Sequence, residues 1–221
     1  MTSVPGAAAA QHRKRIHRGV GRPDTPISAA KVEVHGLTPE RWSDLVKLFG
    51  RPGAAVSRRC WCMYYRQPGV GESAKANREA LRSLLRPAAV PGLVAYLDGS
   101  PAGWISLGPR DHFPKLQRSS VAKPIDDVPV WSIVCFFVES KLRGSGIAEH
   151  LLRAGVAYAR SKGATFVEAY PVDKRGSVDN ESAFVGTRPM FARAGIQEVA
   201  RRRPTRPVMR KALRTGAEWD N

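Results

Sequence analysis

A glycine-rich loop between an apolar strand and an amphipathic helix is the segment with the clearest chemical potential. The apolar run 130–138 leads into this loop, and a predicted helix over 146–161 follows it. The start of a helix presents backbone amides without partners and the positive end of the helix dipole. Gly144 and Gly146 permit positive φ angles and a close approach of the backbone to a ligand. Such a site favours a pyrophosphate, to which Arg143 adds a charge-assisted contact.

The spacing of these glycines argues against two other phosphate-binding loops. The dinucleotide fingerprint requires three glycines spaced G-x-G-x-x-G, and its third position here is Glu149. The nucleotide-binding P-loop requires Gly-Lys-Ser/Thr after four intervening residues, and the loop lacks this sequence. An ordinary turn at the start of a helix remains the alternative to a phosphate site.

The elements that must position this loop form an α/β pattern with a mixed sheet. Asp98-Gly99 between two apolar runs predicts a hairpin, and Thr38 followed by a proline predicts the start of a helix. The predicted elements in chain order are a strand over 31–35, a helix from 38 to 50, an irregular segment over 51–71, a helix over about 72–86, strands over 92–97 and 102–107, a polar segment over 108–129, the strand 130–138, the helix 146–161, a strand over 166–172, a polar loop over 173–183, a short helix near 187–194 and strands over 196–202 and 207–213.

The loop and its surroundings resemble the GNAT superfamily of acyl-CoA-dependent N-acetyltransferases. The family motif, Gln/Arg-x-x-Gly-x-Gly/Ala, is matched by Arg143, Gly146 and Ala148. A valine five residues before the arginine is typical of the family, and Val138 stands there. The segment 189–196 resembles the family's short helix ending in Gly-Phe, with isoleucine in place of phenylalanine.

Together with the order of elements, the resemblance covers about residues 31–213 and implies a GNAT-like mixed sheet of about six to seven strands with about four helices. It implies a V-shaped opening between the strands 130–138 and 166–172, in which acetyl-CoA lies as co-substrate. An amine entering from the opposite side would attack the thioester in a ternary complex, and a backbone amide near Val138 would meet the oxyanion. The residues implied to bind CoA are Phe136, Phe137 and Val138 for pantetheine, and Arg143, Gly144, Ser145, Gly146, Ile147 and Ala148 for pyrophosphate.

Two positions depart from the family pattern and leave the catalytic groups open. Phe191 stands where many members carry a tyrosine acid, and Ser132 stands where members often carry an acidic or histidine base. Glu168 and Tyr170 share one face of the next strand and are the nearest alternatives. The competing interpretations are an ion pair between Glu168 and an arginine, and core packing of Tyr170. The candidate catalytic residues are therefore Glu168, Tyr170 and Ser132.

The run from Cys60 to Arg66 is rich in aromatic and basic residues. In the resemblance it falls where part of the acceptor wall forms, and packing against the sheet is the alternative. Three cysteines argue against a disulfide framework, and the five histidines show no metal-ligand spacing. We predict that Cys60, Cys62 and Cys135 are buried small hydrophobes and that no metal is bound. In a regular strand Cys135 would point away from Ser132.

The net charge of +17 is concentrated in two stretches. Five basic residues and no acid lie between Arg13 and Arg22, and seven more lie between Arg201 and Arg214. Such stretches favour anionic partners, which include CoA phosphates and nucleic acid, although a solubilising basic tail is the alternative. With 43% hydrophobic residues the chain has enough apolar side chains for a core.

Residues 1–30 are predicted to form a disordered basic arm, 31–215 a single acyltransferase domain and 216–221 a tail. No apolar run approaches the roughly 18–20 residues that a membrane-spanning helix needs, and a secretory signal is lacking, so a cytoplasmic location is predicted. The predicted function is acetyl-CoA-dependent acetylation of a primary amine of a small molecule. The open alternatives are a protein amine or an aminoacyl-tRNA as acceptor, or a CoA-binding sensor without turnover. Association as a homodimer is also left open.

Overall fold

The computed structural model describes residues 31–67, 73–86, 90–174 and 183–213. The predicted basic arm over 1–30 and the tail over 216–221 lie outside the described residues. Seven strands form one sheet: β1 (Val32–Gly36), β2 (Gly92–Leu97), β3 (Ser100–Pro109), β4 (Trp131–Val138), β5 (Phe166–Ala169), β6 (Gln197–Arg203) and β7 (Arg206–Ala212). Helices within the described residues are α1 (Trp42–Gly50), α2 (Ala55–Cys60), α3 (Ala74–Ser83), α4 (Pro114–Gln117), α5 (Ile147–Ser161) and α6 (Arg188–Arg193).

The sheet has the order β1-β2-β3-β4-β5-β7-β6. Its neighbouring strands are antiparallel except for β4 and β5, which run parallel because the helix α5 connects them. The predicted mixed sheet is therefore confirmed. The central strand β4 is almost wholly apolar, as a strand covered on both faces must be.

Two apolar clusters cover the two faces of the sheet. Leu45, Leu48 and Phe49 of α1 belong to the cluster on one face, which also contains Trp61. Residues of α5 such as Leu151 belong to the cluster on the other face, together with Phe191 of α6. The glycine-rich loop therefore starts from the middle of the sheet and enters a helix anchored on one face.

Several predicted boundaries differ from the structure. The segment 51–71, predicted to be irregular, contains α2, whose six residues are too few for a helical pattern to be evident. The short helix α4 lies in the segment predicted as a polar excursion. The strand predicted over 166–172 ends at Ala169, and Val172 instead forms an isolated bridge with Thr187.

A bulge in β4 overturns the predicted orientation of Cys135. The β3 partners of Ile133 and Cys135 are Leu107 and Ser106, so Val134 is an extra residue without a partner across β3. One extra residue reverses the alternation that follows it. Cys135 therefore faces the same side of the sheet as Ser132, and the prediction that they point apart was wrong because the strand is not regular.

Close packing at Gly92 gives a test of this fold. A Cβ there would lie 2.2 Å from the carbonyl oxygen of Ile105 and 2.4 Å from the Trp104 ring. Because backbone cannot move aside as a flexible side chain does, Gly92→Ala is expected to lower the free energy of unfolding by about 1–3 kcal/mol. Urea unfolding measures this change. Gly50→Ala is the control, since a Cβ at Gly50 would meet no atom within 4 Å; an equal loss in both variants would contradict the packing described here.

Candidate active site

The strands β4 and β5 separate along their length. They pair over only three positions, from Trp131 opposite Val167 to Ile133 opposite Ala169. Beyond Ile133, β4 has β3 as its neighbour on one side, and the other backbone edge of 134–138 has no strand partner within the described residues. The predicted V-shaped opening is present.

A cavity of about 1220 Å³ occupies this opening. Its lining combines four parts of the chain, one of which is the segment 184–193 with Phe184, Gly186, Thr187, Met190 and Arg193. The glycine loop contributes Arg143, Gly144, Gly146, Ile147 and Ala148; β4 contributes Cys135, Phe136, Phe137 and Val138; and the end of α2 with the turn after it contributes Cys60, Cys62, Tyr64 and Tyr65. The cavity therefore joins the predicted phosphate loop, the open strand edge and the predicted acceptor wall.

The glycine loop has the geometry of an anion site. Gly144 and Gly146 adopt φ angles of 83° and 88°, and Gly146 immediately precedes α5. A Cβ at either glycine would meet no atom within 4 Å, so the space beside the backbone is open. Four amides of the loop and helix start donate to no backbone carbonyl of the described residues: those of Gly144, Gly146, Ile147 and Ala148. These amides at the positive end of a 15-residue helix fit the pyrophosphate of a CoA molecule.

Ser145 differs from the other residues predicted to bind CoA. Its amide and its hydroxyl both donate to the carbonyl of Leu142, and it is not part of the cavity lining. Arg143 lines the cavity, and its Nε donates to the carbonyl oxygen of Val138 at 3.4 Å. Eight of the nine predicted residues thus line one cavity.

The three candidate catalytic residues lie together but are buried. The Ser132 Oγ is 3.0 Å from the Tyr170 hydroxyl, which donates to a Glu168 carboxylate oxygen at 2.9 Å. Arg110 and Arg210 also bind that carboxylate, at 2.8 Å and 2.6 Å. Ser132 and Glu168 are fully buried, and Tyr170 is 2% exposed.

These contacts limit what the buried group can do. Burial, reinforced by the negative charge of Glu168, raises the pKa of Tyr170 well above its ordinary value, so its hydroxyl stays protonated at neutral pH. Two guanidinium groups balance the charge of Glu168, as the competing interpretation of that residue proposed. The cavity lining includes none of Ser132, Glu168 and Tyr170. Their catalytic role stays a prediction.

Phe191 lies at the position predicted for it, in the short helix α6. It is fully buried, and its ring meets that of Phe136 edge-on at 5.9 Å. It offers no proton and serves the packing between α6 and β4. A proton donor in this part of the site would have to be another side chain or water.

The run from Cys60 to Arg66 both packs in the core and lines the cavity, so the two interpretations of this run are compatible. Trp61 stacks on Trp42 with ring centroids 5.6 Å apart, whereas Tyr64 and Tyr65 face the cavity. Trp61 and Cys62 have consecutive positive φ angles of 47° and 52°. For residues other than glycine, this conformation costs about 1–3 kcal/mol each.

Two cysteines predicted to be buried are indeed in the core, at 3% exposure for Cys62 and 7% for Cys135. Their sulfur atoms are 3.2 Å apart, and the indole Nε1 of Trp104 donates to the Cys62 sulfur at 3.1 Å. The spacing of cysteines along the sequence did not indicate this contact, because the fold joins two distant segments. Cys60 is only partly buried.

The acetyltransferase (GNAT) family model matches residues 57–178, which is more than half of the chain. The chain belongs to the GNAT acetyltransferase family. The resemblance predicted from Arg143, Gly146 and Ala148 is confirmed, and as a GNAT member the protein is an N-acetyltransferase. A sequence comparison with curated proteins found no match.

Solved GNAT structures share this fold at low sequence identity. An arylalkylamine N-acetyltransferase 7 from the yellow fever mosquito is 13% identical, with a TM-score of 0.53, and the match covers 82% of this chain and 87% of that one. A polyamine N-acetyltransferase of Drosophila melanogaster, which forms N-acetylagmatine, is 16% identical with a TM-score of 0.51, over 83% and 100% of the two chains. An agmatine N-acetyltransferase in its apo form is 14% identical with a TM-score of 0.51, over 82% and 99%.

Within the ranges that the structure describes, no group of three or more histidine, cysteine or acidic side chains could hold a metal ion. None of the helices α1–α6 is long and apolar enough to cross a bilayer.

Proposed function

We propose that this GNAT member transfers an acetyl group from acetyl-CoA to a primary amine of a small molecule, by direct attack in a ternary complex. The observation that carries the proposal is the meeting of an amide-rich glycine loop and an open strand edge in one cavity. One end of the cavity suits a pyrophosphate, and the other is lined by aromatic and thiol side chains.

Two backbone features would hold CoA. The amides from Gly144 to Ala148, apart from that of Ser145, would bind the pyrophosphate, with Arg143 contributing positive charge at the rim. The open edge of Phe136–Val138 would pair with the amide groups of pantetheine. This arrangement would bring the thioester to the point where β4 and β5 separate.

The amine would attack the thioester carbonyl carbon from the side of Cys60–Tyr65. The carbonyl oxygen gains negative charge as the carbon–nitrogen bond forms, and a backbone amide near Val138 would stabilise it. The carbon–sulfur bond then breaks and the CoA thiolate leaves. No covalent enzyme intermediate is needed, because both substrates are held in one cavity and positioning supplies much of the acceleration.

A small amine is favoured as acceptor. The names of the three solved structures described above concern small amines, namely agmatine, polyamines and arylalkylamines. An acceptor of aminoacyl-tRNA size has less support from the basic strand β6. Arg201 there is paired with Asp173 and Glu198, and Arg202 donates to the carbonyls of Lys123 and Pro124.

We propose Tyr65 as the source of a proton for the leaving thiolate. Burial raises the pKa of Tyr65, which keeps its phenol protonated, and it lines the cavity near Arg206. A guanidinium has only donors, so the Tyr65 oxygen accepts from it and its own hydrogen remains available to donate.

Tyr65→Phe is expected to lower kcat about tenfold, which is less than the roughly 100-fold or more typical of general acid catalysis, because a thiolate is a good leaving group even without protonation. Steady-state kinetics with acetyl-CoA measures the change. Tyr64→Phe is the matched control, since Tyr64 lines the same cavity but is 54% exposed. Equal kcat values for wild type and Tyr65→Phe would remove Tyr65 from the proposed mechanism.

The proposed function is tested by thiol release from acetyl-CoA against a panel of small amines. We expect CoA release that depends on the amine, with acetylated product of matching mass. A lysine-containing peptide and a charged tRNA serve as the alternative acceptors. Calorimetric binding of acetyl-CoA without turnover on any acceptor would favour the sensor, and absence of binding would reject the proposal.

A further inference from the structure

All three cysteines of the chain meet at one end of the cavity. The sulfur atoms of Cys62 and Cys135 are 3.2 Å apart, although 73 positions separate the two residues. The Cys62 amide donates to the Cys60 sulfur at 3.1 Å. The lining of the cavity includes all three residues, so they border the space that a small reagent would enter.

A strained backbone holds Cys62 in this position. Trp61 ends α2 in the left-handed conformation, and Cys62 continues in it with a φ of 52°. Two consecutive residues other than glycine persist in this region only where the surroundings fix them. The stacking of Trp61 on Trp42 provides that anchor, and the turn directs the Cys62 sulfur at Cys135 of β4. Strain of this kind is concentrated at functional sites.

We propose that Cys62 and Cys135 form a reversible disulfide when a hydroperoxide or an azo-type thiol oxidant enters the cavity. Two sulfur–hydrogen bonds break and one sulfur–sulfur bond forms. The two protons and two electrons released cleave the oxygen–oxygen bond of the hydroperoxide to give an alcohol and one water molecule (two water molecules from hydrogen peroxide), or reduce the azo bond to a hydrazine. A dithiol reductant returns the pair to two thiols.

The groups around Cys62 and Cys135 are compatible with both the dithiol and the disulfide. The hydrogen bond to Cys135, together with burial, raises the pKa of Cys62, so Cys62 stays in the thiol form and oxidises slowly. The indole N–H of Trp104 donates to the Cys62 sulfur, which can accept it as a thiol or as part of a disulfide. The bridge would join the turn after α2 to β4 and so fix the width of the cavity at that end.

Peptide mapping of the oxidised full-length protein tests the proposal. The reduced protein is treated with diamide, alkylated in denaturant and digested with trypsin without reduction. We expect the peptide 60–66 joined to the peptide 119–141, and its loss after dithiothreitol. The melting temperature should rise on oxidation, because a bridge that closes a long loop restricts the unfolded chain.

Serine variants identify the sulfur that reacts. Cys60→Ser should retain the linked peptide and Cys62→Ser should abolish it. A bridge through Cys60, a bridge between two protein molecules, or complete alkylation of Cys62 and Cys135 after diamide would each overturn the proposal. The experiment contains neither acetyl-CoA nor an amine, so its result is independent of the proposed acetyl transfer.

Discussion

Gly146→Asp is expected to weaken acetyl-CoA binding by at least about 100-fold. The substitution places a carboxylate beside the amides that would hold the pyrophosphate. Two like charges about 4 Å apart near a protein surface repel by roughly 4 kcal/mol, and every 1.4 kcal/mol is about tenfold in affinity. The cavity has room for the side chain, so we expect the fold to be retained and the substitution to act mainly on the affinity for acetyl-CoA. Isothermal titration calorimetry with acetyl-CoA measures it.

Two variants separate charge from backbone strain. Gly146→Asn forces the same φ of 88° on a side chain of equal size without the charge, and asparagine tolerates this conformation best among such residues. It should lose much less affinity than the aspartate variant. Gly99→Asp strains a glycine with a φ of 76° in the hairpin turn, away from the cavity, and should bind acetyl-CoA normally. Unchanged affinity in Gly146→Asp would show that the pyrophosphate lies elsewhere.

The glycine loop could be predicted because its chemistry is local. Gly144, Gly146 and Arg143 are neighbours in the sequence, and a strand followed by a glycine turn and a helix places them in one known geometry. The long amphipathic helix α5 and the hairpin of β2 and β3 were predicted within three residues for the same reason. Strong periodicity over many residues leaves few alternative structures.

Contacts that depend on irregular backbone could not be predicted. The bulge at Val134 reverses the face of Cys135, and alternation of apolar residues does not reveal it because β4 is apolar on both faces. The contact between Cys62 and Cys135 requires both that bulge and the left-handed turn at Trp61. Shared strand faces did predict that Glu168 and Tyr170 lie together. The sequence also offered an ion pair of Glu168 with an arginine, but the guanidinium groups of Arg110 and Arg210 come from other elements, so it did not identify these partners.

Glu168→Gln is expected to destabilise the protein by about 3–5 kcal/mol, because it removes the carboxylate from the largely buried Arg110 and leaves Arg210 with only the partly exposed Asp126 as its counter-charge. The Arg110 and Arg210 side chains are only 9% and 10% exposed, and glutamine keeps the size of Glu168 without its charge. For a chain of this length the melting temperature should fall by roughly 6–20 °C. Denaturant unfolding and calorimetry measure the loss, and kcat is determined at a temperature where the variant is folded.

Comparison of stability with kcat distinguishes a structural role for Glu168 from the catalytic role predicted for it. Removing a structural charge lowers the unfolding free energy while kcat of the folded molecules stays near the wild-type value. A general base would show the opposite, with kcat lowered on the order of 100-fold or more and stability retained.

Glu198→Gln is the matched control, since Glu198 also binds two arginines, Arg188 and Arg201, but is partly exposed. Its removal should shift the unfolding midpoint little, because solvent screens exposed ion pairs. Burial, rather than the number of ion pairs, then accounts for the difference between the two glutamates.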